Sequence, residues 1–149
     1  MLKFMGDGLL AVFPIPVQDG DQGEVCSRVL AAGRAARARV AALEYAVADT
    51  AERFRFGLAL HVGRLLYGNV GGGNRLDFTC IGPAVNLAAR LEKIAARLRR
   101  TVIASEAFVG ACAVGDEAGN DDPWTDLGEF PIAGLSTSQR VFGLRDEGN

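Results

Sequence analysis

A single aspartate stands at the tip of a predicted hairpin near the start of the chain. Gly6-Asp7-Gly8 joins two short apolar runs, and glycine tolerates the positive φ angles of tight turns. A carboxylate held there by two strands could bind a hard cation such as Mg²⁺. Asp-Gly also forms such turns for purely conformational reasons, and one carboxylate cannot hold the two metal ions common in phosphoryl transfer. Taken alone, Asp7 is a weak indication of a metal site.

Asn86 and Arg90 lie one turn apart on a predicted helix that runs from Pro83 to about Arg99. Side chains with this spacing start about 5–6 Å from each other on one helix face. Asn86 is also in the first turns, where free backbone N–H groups favour anions. An amide and a guanidinium directed at one point suit negative charge that develops on phosphate. The alternative is an ordinary solvated face of the helix.

Lys3 and Thr79 each interrupt the apolar run of a predicted strand. A lysine donor and a threonine hydroxyl could together recognise hydrogen-bonding groups on the edge of a nucleobase. The alternative is an edge-strand lysine and a threonine that favours β structure. The spacing alone does not decide between the two.

The elements that must position these residues predict one α+β domain over residues 1–149. Apolar residues at helical spacing predict a long helix over about 25–47, whose other side carries arginines that we interpret as solvated: Arg28, Arg34, Arg37 and Arg39. Gly71-Gly72-Gly73-Asn74 predicts a turn rather than a phosphate loop, because no Gly-Lys-Ser/Thr ending follows. Ser105 is the predicted cap of a short helix that ends near Cys112. Predicted strands cover 2–5, 9–13, 54–62, 65–70, 76–81, 101–104, 124–131 and 139–144.

Composition narrows the possible partners and the location. The 149 residues include 16 basic and 18 acidic side chains, a formal net charge of −2, which gives no reason to expect nucleic acid as a partner. No uncharged apolar run reaches the roughly 20 residues that span a bilayer, so we expect no membrane contact by this domain. The cysteines Cys26, Cys80 and Cys112 are odd in number and far apart in the sequence. They fit neither a disulfide framework nor a zinc site, so we expect a cytoplasmic location.

Two stretches resemble a known family. Residues 3–13, KFMGDGLLAVF, resemble the metal-hairpin signature of class III adenylyl and guanylyl cyclases. Residues 63–92, GRLLYGNVGGGNRLDFTCIGPAVNLAARLE, resemble the second and longer signature of that family, in the matching order and at the matching separation. The resemblance implies the nucleotide cyclase fold, a ferredoxin-like βαββαβ core with helices packed on one face of an antiparallel sheet.

The resemblance also implies a role for each candidate residue. Asp7 matches the second of two aspartates that bind Mg²⁺ or Mn²⁺. Lys3 and Thr79 match the positions that select the purine. The lysine and threonine pairing resembles that of bacterial-type adenylyl cyclases, whereas guanylyl cyclases typically have glutamate in place of the lysine. Asn86 and Arg90 match the transition-state pair, which orients the ribose and neutralises charge on the phosphates.

The implied reaction converts ATP to cyclic AMP and pyrophosphate by attack of the ribose 3′-oxygen on the α-phosphorus. In this family the site forms between two domains. Lys3, Asp7 and Thr79 would therefore meet Asn86 and Arg90 of a second cyclase domain, most simply in a homodimer. A monomer is then expected to be inactive.

Two departures from the family pattern favour low activity. The chain begins inside the hairpin, without the family's first strand, first helices and first metal aspartate, which would also leave an open sheet edge. Ala133 stands where a basic residue that contacts the triphosphate is usual, and Arg140 is the nearby candidate to compensate. We therefore expect this chain alone to make little cyclic AMP. The alternative function is a degenerate cyclase-like module that binds nucleotide or a partner cyclase domain.

Overall fold

The chain alternates short strands with three helices. The computed structural model describes residues 2–16, 22–46, 56–70, 77–113, 123–134 and 136–147. Every predicted strand and helix is present within these ranges, mostly with shorter ends, whereas the predicted turn at 71–74 lies outside them. The elements are β1 (Leu2–Met5), β2 (Gly8–Ala11), α1 (Gln22–Ala46), β3 (Leu58–Leu60), β4 (Leu66–Val70), β5 (Asp77–Ile81), α2 (Pro83–Leu98), β6 (Val102–Ser105), α3 (Glu106–Ala113), β7 (Trp124–Phe130) and β8 (Gln139–Leu144).

A four-stranded sheet with the order β3-β6-β8-β7 is the largest sheet among the described residues. β6 pairs antiparallel with β8, and β8 pairs antiparallel with β7. β3 and β6 are parallel neighbours, so the sheet is mixed. A parallel pair needs a long crossover between its strands, and here β4, β5 and α2 form that crossover.

Helices cover both faces of this sheet, whereas the family resemblance led us to expect them on one face. Val102 and Ala104 of β6 belong to a buried cluster with residues of α1 and α3. Ile103, between them, belongs to a second buried cluster with Leu91 and Ile94 of α2. The division follows from the pleat of a strand, which directs successive side chains to opposite faces. β6 is therefore a central strand that is apolar on both sides.

The N-terminal half of α1 packs on the sheet more closely than its C-terminal half. Gly33 approaches β3 so closely that a Cβ atom there would lie 2.8 Å from Leu58 Cδ2. Leu43, one of the apolar residues that predicted this helix, is 60% exposed. Within the described residues, none of the helices combines the length and apolar character needed to cross a membrane.

Arg37 on α1 was predicted to be solvated, but it forms ion pairs with the segment after β8. Its guanidinium forms ion pairs with Asp146 and Glu147, which raise its pKa. The Glu147 carboxylate also accepts hydrogen bonds from the backbone N–H groups of Thr101 at 2.9 Å and Val102 at 3.0 Å. These contacts tie the segment after β8 to α1 and to the start of β6. The other three arginines of that face, Arg28, Arg34 and Arg39, are exposed as predicted.

Candidate active site

The β1–β2 hairpin carries two of the candidate residues. Gly6 has a φ angle of 65°, which explains the glycine in this turn, and the adjacent Asp7 is exposed at the tip. Lys3 is half-buried on β1, opposite Leu10. The next residue, Phe4, lies on the other face of the hairpin and is 83% exposed. Lys3 and Asp7 therefore lie on one antiparallel hairpin, Lys3 in its first strand and Asp7 in its turn.

Thr79 lies on the second hairpin, which β4 and β5 form. It is half-buried and pairs across the hairpin with Gly68. A Cβ atom on Gly68 would have no other atom within 4 Å. Cross-strand partners share one face of a hairpin, so Thr79 has open space beside it on that face. Such space could receive part of a ligand.

Asn86 and Arg90 lie on the side of α2 away from the core. Pro83 occupies the first turn, and Gly82 precedes it with a φ angle of 146°. Asn86 is exposed and Arg90 is half-buried, while Leu91 on the core side is fully buried. The predicted amide–guanidinium pair therefore shares one accessible helix face.

The Arg90 guanidinium packs against the turn that follows β7. A Cβ atom on Gly134 would lie 3.3 Å from Nη2 and 3.4 Å from Nη1 of Arg90. Buried Ile132 holds this turn against α2, because it packs in the same cluster as Leu91. Ala133, the position that departs from the family pattern, is exposed in this turn. The closeness of Gly134 to the Arg90 guanidinium was not predicted from the sequence; the small size of this residue beside Ala133 was the available signal.

Arg140 does not take the place of the absent basic side chain. Its Nη2 and Nε atoms donate to Asp126 Oδ2 at 2.6 and 2.9 Å, across the β7–β8 pair. The Arg140 guanidinium and the Gly128 N–H together lower the pKa of the Asp126 carboxyl. Arg140 therefore forms a surface ion pair with Asp126 and does not place its positive charge at the Ala133 turn in this structure.

His61 occupies a shallow cleft of about 240 Å³ beside the first turn of α2. Its Nδ1 atom lies 2.8 Å from Ser105 Oγ, which also accepts the Phe108 N–H at 3.2 Å as the predicted cap of α3. Burial lowers the pKa of His61. No role was predicted for His61 from the sequence, and its contacts are those of a structural residue that links β3, β6 and α3.

The candidate residues fall into separate groups. Lys3 and Asp7 are on the β1–β2 hairpin, which has no extended contact with α2 in the part of the chain that the structure describes. Asn86 and Arg90 share a face of α2. Among the described residues, no three His, Cys, Asp or Glu side chains are grouped so that they could hold a metal ion. Asp7 therefore fits as one oxygen ligand of a cation that is also bound by phosphates, but not as a complete protein site.

Known proteins are similar to this chain in both sequence and structure. No protein-family model matches the chain. Over 113 residues, or 75% of this chain, it is 33% identical to adenylate cyclase 1 of Rhizobium meliloti strain 1021. In structure it is similar to the guanylyl cyclase Cya2, with a TM-score of 0.72 over 100% of this chain and 71% of that chain at 20% identity. The chain belongs to the class III nucleotide cyclase domain family.

A second solved structure supports the same cyclase fold. The adenylyl cyclase CyaB of P. aeruginosa superposes with a TM-score of 0.70 over 99% of this chain and 74% of that chain, at 20% identity. The match to the Rhizobium relative covers only 16% of that protein. Both solved structures therefore show that this chain has the nucleotide cyclase fold.

Proposed function

We propose that this cyclase domain converts ATP to cyclic AMP and pyrophosphate when it is paired with a second cyclase domain. The observation that carries the proposal is the position of Asn86 and Arg90. They share an accessible face of α2, and Arg90 lies at the Ala133–Gly134 turn, apart from the hairpin that holds Asp7. Groups that must act on one nucleotide but lie on separate elements can meet across two domains.

In this proposal each residue has a defined task. Lys3 and Thr79 bind hydrogen-bonding groups of adenine. Asn86 orients the ribose so that its 3′-oxygen is in line with the α-phosphorus, and Arg90 neutralises charge on the phosphates as the bond to pyrophosphate breaks. Asp7 is one ligand for Mg²⁺ or Mn²⁺, which when bound would neutralise phosphate charge.

The selection of adenine rests on hydrogen bonding. A buried donor or acceptor that finds no partner on the wrong base costs about 1–3 kcal/mol, so a few such contacts separate purines strongly. Lys3 is a donor, and its replacement by glutamate would exchange a donor for an acceptor. We therefore propose ATP as the substrate, and accordingly the cytoplasm as the location. A single domain over residues 1–149 remains our prediction.

The experiment that tests the proposal measures cyclic AMP formed from ATP, with Mn²⁺ and with Mg²⁺, over a range of protein concentrations. We expect low turnover by this chain alone, since Asp7 belongs to no metal-binding group among the described residues. The specific activity should rise with concentration as pairs form. Asp7→Asn should abolish whatever turnover there is. Vigorous turnover that is independent of concentration would contradict the split site.

A second candidate function is nucleotide binding without turnover. The observations that favour it are Ala133, which leaves its turn uncharged, and the commitment of Arg140 to Asp126. Calorimetry with a non-hydrolysable ATP analogue distinguishes the two functions. Binding that depends on Lys3, with no cyclic AMP formed even in the presence of a complete partner domain, would favour the binding module.

A further inference from the structure

Two cysteines that are far apart in the sequence meet between α1 and α3. Cys26 on α1 is 1% exposed and belongs to the buried cluster between these helices and the sheet. Cys112 near the end of α3 is half-buried and packs against the same cluster. The two thiols form a hydrogen bond with each other. Neither cysteine is in a disulfide in this structure.

Cys26 is more deeply buried than Cys112, and this difference determines which thiol reacts first. Burial raises the pKa of the Cys26 thiol, and the hydrogen bond from Cys112 offsets part of that effect. The thiolate is the nucleophile in exchange reactions, and access to the reagent matters equally. Cys112 is the more accessible of the two, so it meets an external reagent first. Cys26 then lies within reach to resolve the product.

We propose that Cys26 and Cys112 form a redox modification site, which a small-molecule disulfide such as oxidised glutathione converts to a reversible α1–α3 disulfide. The Cys112 thiolate attacks one sulfur of the reagent, breaks its S–S bond and releases one thiol. The Cys26 thiolate then attacks the Cys112 sulfur, breaks the mixed disulfide and releases the second thiol. The protein loses two electrons and two protons, and the reagent is reduced to two thiols. This inference does not depend on the proposed activity.

A disulfide between Cys26 and Cys112 would cross-link α1 to α3. The closed loop includes β3, β4, β5, α2 and β6, so it is long and restricts the unfolded chain strongly. We expect oxidation to raise the melting temperature by roughly 5–10 °C. Reduction by dithiothreitol should reverse the shift.

The test treats the full folded chain with oxidised glutathione, quenches with acid, alkylates the remaining thiols and measures intact mass and peptide masses. We expect loss of two hydrogen atoms and a linked peptide pair that contains Cys26 and Cys112. Cys80, which is buried on β5, should be alkylated after denaturation. The Cys80→Ser variant is the matched control and should form the same bond.

Single substitutions test the order of the steps. Cys26→Ser should stop at a stable glutathione adduct on Cys112, whereas Cys112→Ser should leave Cys26 reduced under the same conditions. Alkylation of both thiols after oxidation of the folded protein would overturn the proposal. So would a bond that forms only in urea, a bond to Cys80, or a bond between two chains.

Discussion

Replacing Arg90 tests the assignment of this chain's half of the site. Arg90→Ala removes the guanidinium that lies against the Ala133–Gly134 turn. Residue 133 is alanine, and Arg140 is paired with Asp126 in this structure, so neither supplies a second cation at this turn. Removal of one charge-stabilising donor from a preorganised site lowers kcat by about 10²–10³-fold. We expect a loss at the upper end of this range for the site to which this chain contributes Arg90.

The assay uses complementation between two domains. The partner is a related adenylyl cyclase domain that has both metal aspartates, but in which the arginine matching Arg90 is changed to alanine. Its own pairs are then inactive, and a mixed pair has one site with the partner's aspartates and this chain's Asn86 and Arg90. Addition of this chain should restore cyclic AMP formation, and the Arg90→Ala chain should not.

Two controls separate chemistry from folding. Arg97→Ala changes an exposed arginine on the same helix and should complement as well as the unsubstituted chain. Cross-linking of the mixture measures how many mixed pairs form. Full complementation by Arg90→Ala, or none by the unsubstituted chain although mixed pairs are abundant, would refute the assignment of Arg90 as the charge-neutralising group.

Three further predictions concern the surroundings of the site. Glu147→Ala removes the carboxylate that accepts from two backbone N–H groups and leaves Arg37 paired with Asp146 alone, so the free energy of unfolding in urea should fall by about 2–4 kcal/mol. Asp146→Ala, which keeps those two hydrogen bonds, should cost under about 1 kcal/mol. Gly134→Ala, at a φ angle of 79°, should lower both stability and complementation because the Arg90 guanidinium must move away from the new Cβ atom. Gly128→Ala is the control: its φ angle is 96° and the new Cβ atom would have no neighbour within 4 Å, so it should lower stability alone. The depressed pKa of His61 means that the unfolded chain binds the extra proton as pH falls below about 6.5. The stability that neutral His61 contributes is therefore present above that pH and lost below it. His61→Asn should flatten the pH dependence of the melting temperature between about pH 7 and 5. An unchanged slope would contradict this reasoning.

Local signals predicted the elements well where they were strong. The helix from Pro83 was predicted to end near Arg99, and α2 ends at Leu98 with Arg99 in a left-handed conformation. The cap of α3 by Ser105 is confirmed by the hydrogen bond from Phe108 N–H. Both predictions depend on residue types within about one turn of the helix end, and these can be taken directly from the sequence.

Contacts between distant segments were the part that spacing could not reveal. Arg37 was interpreted as solvated because its helix face is rich in arginine, but the segment after β8 brings Asp146 and Glu147 to it. The thiols of Cys26 and Cys112 meet because α1 and α3 cover the same face of the sheet. Neither contact has a local signature, since each depends on where the sheet places two helices.

The division of the candidate residues between the β1–β2 hairpin and α2 predicts how this chain would contribute to a pair of cyclase domains. A two-fold pair of such domains would contain two sites, each with a hairpin from one chain and an α2 helix from the other. Among the described residues Asp7 belongs to no group of side chains that could hold a metal ion, so we expect the site to which this chain contributes its hairpin to be the weaker one. At the other site this chain contributes Asn86 and Arg90, which lie on a helix anchored by Leu91 and Ile94 in the core. If the split-site proposal holds, pairing with a complete cyclase domain should therefore yield one competent site, whereas self-pairing should yield two weak ones.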